Sequence, residues 1–399
     1  MLINRESYIN KIEPFINKPV IKVISGMRRT GKSSLLKLII EKLKEEGIPE
    51  ENILYINKES LEFDSIRTYL DLDNYVKSKI KKTKGKKYLF IDEIQEIENW
   101  EKAVLSFLTN NVADIFITGS NSKLLSSDIS TLLRGRYYEV RIFPLSFREF
   151  LSFRRKPDDA ESEFKNYLRY GGLPGLHELP IDNESLISEY LYALVNTVFY
   201  KDLIERYKIR EPEALARILR YLFDNLGNVT TGRSISNFLS SQKIRLTVDT
   251  IMNYLLFMES AFLINRVKRF DLKGKRFLEI YEKLCPADAG LRRGLIGYDD
   301  KDISQLLELI VYNELRVRGY NVYTGTVDNL EIDFVAERGK QKLYVQVCYL
   351  LGGEKVKASE FGNLLKIKDN YPKLVLSMDK FYPEEYQGIE HKFLIDFLL

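Results

Sequence analysis

Ile21-Lys-Val-Ile-Ser-Gly26-Met27-Arg28-Arg29-Thr30-Gly31-Lys32-Ser33-Ser34 is the stretch whose reading decides the fold. Ile21 to Ile24 is a short apolar run suited to a buried strand, and Gly26 to Ser33 fits G-x-x-x-x-G-K-[ST] at every fixed position. Beyond it Leu35, Leu36, Leu38, Ile39, Ile40 and Leu43 recur at helical spacing, so a helix opens directly from the loop. Such a helix start offers unpaired N–H groups and the positive end of a dipole, both favourable to an anion. Strand, loop and helix stand in the order a phosphate-binding loop requires. Gly26 and Gly31 let the backbone approach phosphate oxygens, with Met27, Arg28, Arg29 and Thr30 making the turn and Ser34 following it. Lys32 is expected to reach the β- and γ-phosphates, and Ser33 to place its hydroxyl on Mg²⁺.

Tyr88-Leu-Phe-Ile-Asp92-Glu93 carries the second piece of chemistry. Its four leading residues predict a buried parallel strand, and two carboxylates fall at the carboxyl end, where ligands sit in open α/β sheets. Asp92 is expected to hold Mg²⁺ through water, and Glu93 to orient and polarise an attacking water. Trp100, the only tryptophan, enters the following helix as a packing anchor. Ile115-Phe-Ile-Thr118-Gly119-Ser120-Asn121 predicts a third buried strand ending in polar groups. Ser120 or Asn121 can sense the γ-phosphate there; the alternative is an ordinary turn with a serine cap. Arg134 and Arg136 are the candidates for an arginine finger, acting in cis or on a neighbouring subunit, unless one of them merely pairs with an acid. The chain has no Asn-Lys-x-Asp guanine motif, so ATP is the expected nucleotide.

Gly26 to Ser33, Asp92-Glu93-Ile-Gln95, Thr118-Gly-Ser120, Leu133-Arg-Gly-Arg136, Pro144-Leu-Ser-Phe-Arg-Glu-Phe150 and Tyr170-Gly-Gly-Leu-Pro174 together resemble a family of prokaryotic AAA+-type P-loop ATPases, common in archaea. Its members carry a C-terminal domain of unknown function. The resemblance implies an α/β, AAA+-like parallel sheet with ATP binding and hydrolysis, and implies little about substrate.

At 399 residues, 45% hydrophobic and 30% charged, the chain is expected to form two to four globular domains. Lys plus Arg exceeds Asp plus Glu by only 61 to 57, so any nucleic-acid surface must be local. Cys285, Cys348, His177 and His391 show no metal-type spacing, which argues against a zinc site. The start has no apolar h-region, and no apolar run approaches bilayer length, so a cytoplasmic protein with reduced thiols and no membrane partner is expected. Four segments follow: an ATPase domain at 1–155, a helical connector at 156–210 with Tyr170 to Gly175 as a hinge, a winged helix-turn-helix at 211–285, and a nuclease-like α/β domain at 300–399.

The third segment shows helical patterns at Glu213 to Leu226, Ser234 to Ser240 and Thr247 to Phe262, then a hairpin about Lys273-Gly274-Lys275. Arg266, Lys268, Arg269, Lys273, Lys275 and Arg276 crowd that hairpin with only Asp271 against them, and Lys243 and Arg245 precede the third helix. Lys243, Arg245, Lys268, Arg269 and Lys275 are therefore expected to contact DNA phosphates; the alternative is a unit that packs on the ATPase or meets a protein. In the fourth segment a helix with Glu308 and Glu314, a strand with Glu331 and Asp333, and a further strand resemble the PD-(D/E)xK nuclease core. Gln346 and Cys348 stand where active members read Glu-x-Lys, so a degenerate, non-cleaving domain is expected. The combined expectation is an ATPase whose nucleotide state controls a DNA-binding region. The alternatives are an ATP-gated nuclease using Asp333 and Glu331, or a nucleotide switch that never touches DNA and assembles with proteins, whether a different partner or its own copies.

Overall fold

The computed structural model describes residues 3–80, 84–125, 132–133, 135–155, 159–328 and 330–399. The chain divides into two compact units, Met1–Ile142 with Ser260–Phe262, and Phe143–Glu259 with Leu263–Leu399.

In the first unit β1 (Ile21–Ser25), β2 (Ile53–Asn57), β3 (Tyr88–Asp92), β4 (Asp114–Gly119) and β5 (Tyr137–Arg141) form a parallel sheet in the order β2-β3-β4-β1-β5. Alternation along the strands divides the core. Val23, Leu89, Ile91, Ile115 and Ile117 pack with residues of the helices Tyr69–Ile80 and Trp100–Thr109, and Trp100 is buried among them as expected. Ile24, Phe90 and Phe116 pack on the opposite face with the helices Glu6–Ile12 and Lys32–Glu45. Helices on both faces bury the strands, which is why these sequences read as continuous apolar runs.

Because all five strands run the same way, β1, β3 and β4 deliver Gly26, Asp92 with Glu93, and Ser120 with Asn121 to one edge of the sheet. The same topology sends Arg136 to the other edge. Its carbonyl accepts from Ile21 N at 3.0 Å, beside the first residue of β1. A strand of this length spans roughly 15 Å, beyond an arginine's reach to the loop after Ser25. Arg136 is exposed and cannot serve its own phosphate loop, so the cis form of the finger expectation is corrected for it. Arg134 lies outside the described residues.

The second unit begins with the helices Phe147–Arg154, Ala160–Tyr170 and Glu184–Thr197. The three helices expected next are found at Pro212–Asp224, Gly232–Ser241 and Val248–Ser260, the middle one started by a capping box of Thr231 and Ser234. Strands β6 (Val229–Thr230), β7 (Ile264–Asp271), β8 (Arg276–Pro286), β9 (Asn321–Val327), β10 (Leu330–Arg338), β11 (Gln341–Val347), β12 (Lys373–Ser377), β13 (Glu385–Tyr386) and β14 (Ile389–Phe393) complete the unit with the helices Ala289–Ile296, Ile303–Val317 and Glu354–Leu365.

These strands form one sheet in the order β13-β14-β12-β11-β10-β9-β7-β8-β6. The expected hairpin exists as β7 and β8, but β7 also pairs in parallel with β9 through Arg269↔Thr324, Phe270↔Gly325 and Asp271↔Thr326. An open β7 edge would expose a row of unpaired N–H and C=O groups, and β9 covers part of it. The hairpin is thus a built-in part of a larger sheet, not a freestanding wing. Among the described residues no helix is long and apolar enough to cross a membrane.

The Tyr170 to Gly175 turn is also tighter than a hinge. Gly172 N donates to Asp288 Oδ2 at 2.8 Å, Leu145 N donates to Gly172 O at 2.6 Å, and Asp288 Oδ1 caps the helix Ala289–Ile296 by accepting from Gly290 N. Gly171 has φ +76°, and a Cβ there would lie 1.9 Å from Asp288 Oδ1. Gly171→Ala therefore combines backbone strain with a clash against a buried carboxylate. The expected loss is about 2–4 kcal/mol, read as a lower urea midpoint at unchanged slope.

Candidate nucleotide site

The loop after β1 is shaped by two glycines. Gly26 has φ +148°, and a Cβ there would sit 2.4 Å from the Ile142 carbonyl oxygen. Gly31, at φ +96°, is the N-cap of the helix Lys32–Glu45. Between them Met27 and Thr30 are buried, with Thr30 Oγ1 donating to Met27 O at 2.8 Å. Arg28 pairs with Glu59 at 2.8 Å, Arg29 and Ser34 are exposed, and Ser33 is half-buried in the first helical turn. Arg5 joins this loop from the preceding segment, donating from Nη1 to Thr30 O at 2.9 Å with its guanidinium 4.5 Å from the Tyr8 ring centre. No local pattern in the sequence marked Arg5.

Lys32 is buried, its Nζ 3.1 Å from Met27 O and 3.3 Å from Glu93 Oε1. Glu93 leaves β3 in the left-handed region at φ +54°, with its N–H donating to Thr118 Oγ1 at 2.9 Å. Ser120 Oγ donates to Glu93 Oε2 at 2.8 Å, and Gln95 Nε2 donates to the same oxygen. Burial alone would raise the Glu93 carboxyl, but Lys32 and the hydrogen bonds from Gln95 and Ser120 hold it down to about 2. Glu93 is therefore an anion at any ordinary pH.

Asp92, beside it, accepts from Tyr55 OH at 2.9 Å on Oδ2 and from the Thr118 hydroxyl on Oδ1. Burial and the Asp92 carboxylate push Tyr55 far up, so it remains a donor. Asn121 is buried next to Ser120. The structure thus gathers Lys32, Asp92, Glu93 and Ser120, with Asn121 next to Ser120 in the chain, and adds Tyr55, Thr118 and Gln95 as partners that the sequence reading left without roles. Thr118 and Gln95 lay within the motifs already quoted; nothing local singled out Tyr55.

The donor set suits a magnesium–nucleotide complex. A carboxylate already accepting two hydroxyl protons is suited to receive water held on a metal, and the half-buried Ser33 hydroxyl would be the group to bind the ion directly. Among the described residues no group of three or more His, Cys, Asp or Glu side chains could hold a metal ion by itself. Mg²⁺ would need none, because it takes most of its ligands from water and phosphate.

Residues 18–151 match the AAA domain family, and residues 161–302 match a domain of unknown function. An uncharacterized protein of Haemophilus influenzae is 38% identical over 403 residues, spanning 100% of this chain and 99% of its own. The chain belongs to this family of AAA-domain proteins. An uncharacterized protein of Methanocaldococcus jannaschii is 35% identical over 365 residues, spanning 88% of this chain and 78% of its own. Among solved structures, a Walker-type ATPase of Pyrococcus abyssi matches with a TM-score of 0.53 over 74% of this chain and 96% of its own, and at 16% identity that likeness is one of fold.

The AAA-domain chain carries a second cluster of ionisable groups in its other unit. Lys283, on β8, places Nζ 2.6 Å from Glu331 Oε1 and 3.2 Å from Glu308 Oε2. Burial alone would lower this lysine, but Glu308, Glu331 and Asp333 raise it above its ordinary value. Burial in turn pushes Glu308 and Asp333 up. Gln346 spends its amide on Asp333 N at 2.7 Å and Glu360 Oε2 at 3.1 Å. Asp333 Oδ2 accepts from Val347 N at 2.8 Å, and Glu314 lies apart, paired with Arg318 at 2.6 Å. The sequence reading missed Lys283 because it belongs to the hairpin, not to the segment whose carboxylates it meets.

The hairpin also holds more counter-charge than Asp271 alone. Arg266 pairs with Glu282 at 2.7 Å and Lys273 pairs with Asp328, while Arg269 is half-buried. Lys243, Arg245, Lys268 and Lys275 are exposed. Lys283→Met leaves half-buried carboxylates without their buried cation, and is expected to cost about 2 kcal/mol at pH 7.5. Unpaired carboxylates bind protons more tightly folded than unfolded, so urea melts at pH 5 should recover part of that loss.

Proposed function

We propose that the first unit binds and hydrolyses Mg-ATP, and that its nucleotide state controls the second unit, which contacts DNA. The observation that carries the ATPase reading is Glu93: a buried, ionised carboxylate touching the phosphate-loop lysine at 3.3 Å. Lys32 is suited to stabilise charge on the β- and γ-phosphates, and Ser120 and Asn121 to sense the γ-phosphate. Mg²⁺, held by Ser33 and through water by Asp92, would draw charge from the same phosphate oxygens. Glu93 accepts the proton of the attacking water as its oxygen bonds to the γ-phosphorus. The bond to the bridging oxygen breaks, and its electron pair leaves with ADP.

DNA contact rests on Lys243, Arg245, Lys268 and Lys275, four exposed cations within one unit. Lys283 inside the carboxylate cluster supports a unit that binds rather than cleaves, since the cluster is already supplied with a cation. An arginine finger from Arg134 or Arg136 would, for Arg136, have to act on a neighbouring subunit.

ATP turnover with and without duplex DNA tests both halves. Lys32→Ala should lose ATP binding, whereas Glu93→Gln should keep ATP and lose at least about a hundredfold in kcat. Duplex DNA should stimulate turnover, with its affinity falling about a hundredfold between 50 and 200 mM salt if all four cations meet phosphate. Replacing the four by Glu should remove that response. Turnover indifferent to DNA would shift the reading to a nucleotide switch for a protein partner.

A further inference from the structure

We propose that Glu93 is a latched base: Lys32 holds its Oε1 until a phosphate takes the lysine, while Gln95 and Ser120 fix Oε2 so that the freed oxygen is already aimed. This rests on the ATPase reading above and adds a positioning residue and a resting state to it.

The two oxygens of Glu93 have different surroundings. Oε2 accepts from Ser120 Oγ at 2.8 Å and from Gln95 Nε2, and Gln95 Nε2 also lies 3.4 Å from Ser120 Oγ. Oε1 faces Lys32 Nζ at 3.3 Å. Lys32 is buried, and its Nζ also donates to the Met27 carbonyl at 3.1 Å. An ammonium in that place is drawn more strongly by a multiply charged phosphate than by a single carboxylate. Arrival of nucleotide therefore moves the lysine and opens Oε1, whereas the contacts on Oε2 involve neither Lys32 nor the loop.

Gln95 is arranged for Glu93 and not for its own satisfaction. Its Oε1 is buried with no hydrogen-bond partner among the described residues, and only its amide N–H₂ end is used. A Cβ on Gly119 would lie 2.6 Å from that Oε1, so the glycine leaves the room the amide occupies. Turning the amide over would set its oxygen against the Glu93 carboxylate, which electrostatics forbids. Glu93 itself stands at φ +54°, a conformation that an unsupported side chain would not be given at a strand end.

Two measurements test the proposal. For positioning, Gln95→Ala should lower kcat at least about tenfold while the KM for ATP and ATP affinity stay unchanged. Unchanged kcat, or kcat and affinity falling together, would overturn it. For the latch, binding of a fluorescent ATP analogue is measured in EDTA, where no metal or turnover intervenes. Glu93→Gln releases Lys32 and should bind severalfold tighter than the parent, whereas Asp92→Asn removes an equal charge that does not touch Lys32 and should not. Equal tightening in both variants would mean simple repulsion and would sink the latch. A parent protein that binds the analogue but never hydrolyses ATP would defeat the ATPase reading while leaving the binding comparison able to judge the latch.

Discussion

A buried ammonium and a buried carboxylate, Lys32 and Glu93, face each other at the carboxyl edge of the first sheet, and each is tolerable there only because of the other. That pairing requires three chain segments to end at one place. β1 must stop at Gly26, where any side chain would strike the Ile142 carbonyl; β3 must stop at Asp92 with Glu93 turned into the left-handed region; and β4 must bring Thr118 and Ser120 alongside. Parallel pairing of β1, β3 and β4 meets all three conditions at once. The apolar packing of Ile24, Phe90 and Phe116 on one face, and of Val23, Ile91 and Ile117 on the other, holds the register that makes the pair possible.

The second unit solves the same problem with different partners. Lys283 comes from β8 and its carboxylates from the helix Ile303–Val317 and β10, so the cluster ties the hairpin to the rest of the sheet. Pairing of β7 with β9 does this through the backbone, and the ion cluster does it through side chains. A hairpin held at both levels is part of the sheet and not a projecting wing. Under the proposed reading, contact with DNA would come from the exposed cations Lys268 and Lys275 on the hairpin and Lys243 and Arg245 before the helix Val248–Ser260.

The phosphate loop, the acidic end of β3 and the polar end of β4 were legible because each is a local pattern. An apolar run sets a strand, and the residues that follow it necessarily fall at its end. The failures share one cause, which is that linear neighbourhood says nothing about topology or about charges from elsewhere. Arg136 follows the polar end of β4 in sequence, yet parallel pairing with β1 returns the chain to the opposite edge before it. The hairpin cations look unopposed in sequence because Asp328 lies on another stretch of chain and Glu282 falls just beyond the segment 276–281 that reads as the second strand. Gly171 and Gly172 look like a hinge because two glycines in a turn suggest freedom, whereas Asp288 crowds Gly171 and the Leu145 carbonyl crowds Gly172 so closely that a side chain would clash at either. Arg5, Tyr55 and Lys283 were invisible for the same reason: each owes its role to a partner far along the chain.

The Lys32–Glu93 pair also constrains how tightly nucleotide can be held. Breaking a buried ion pair forfeits an interaction that desolvation has made strong, and that loss must be subtracted from whatever the phosphates gain by meeting the lysine. A site that kept Lys32 unpaired would bind nucleotide more tightly, but it would leave a bare ammonium buried in the resting protein. Pairing the lysine with Glu93 avoids that penalty and, under the proposed mechanism, makes the two events exclusive: while Glu93 neutralises Lys32, neither would be available to the reaction. The contacts of Gln95 and Ser120 on the other carboxylate oxygen then decide the outcome of release, because a freed but unanchored glutamate would turn away toward solvent. Anchoring one oxygen while pairing the other lets the group be stabilised at rest and still be correctly placed once its partner leaves.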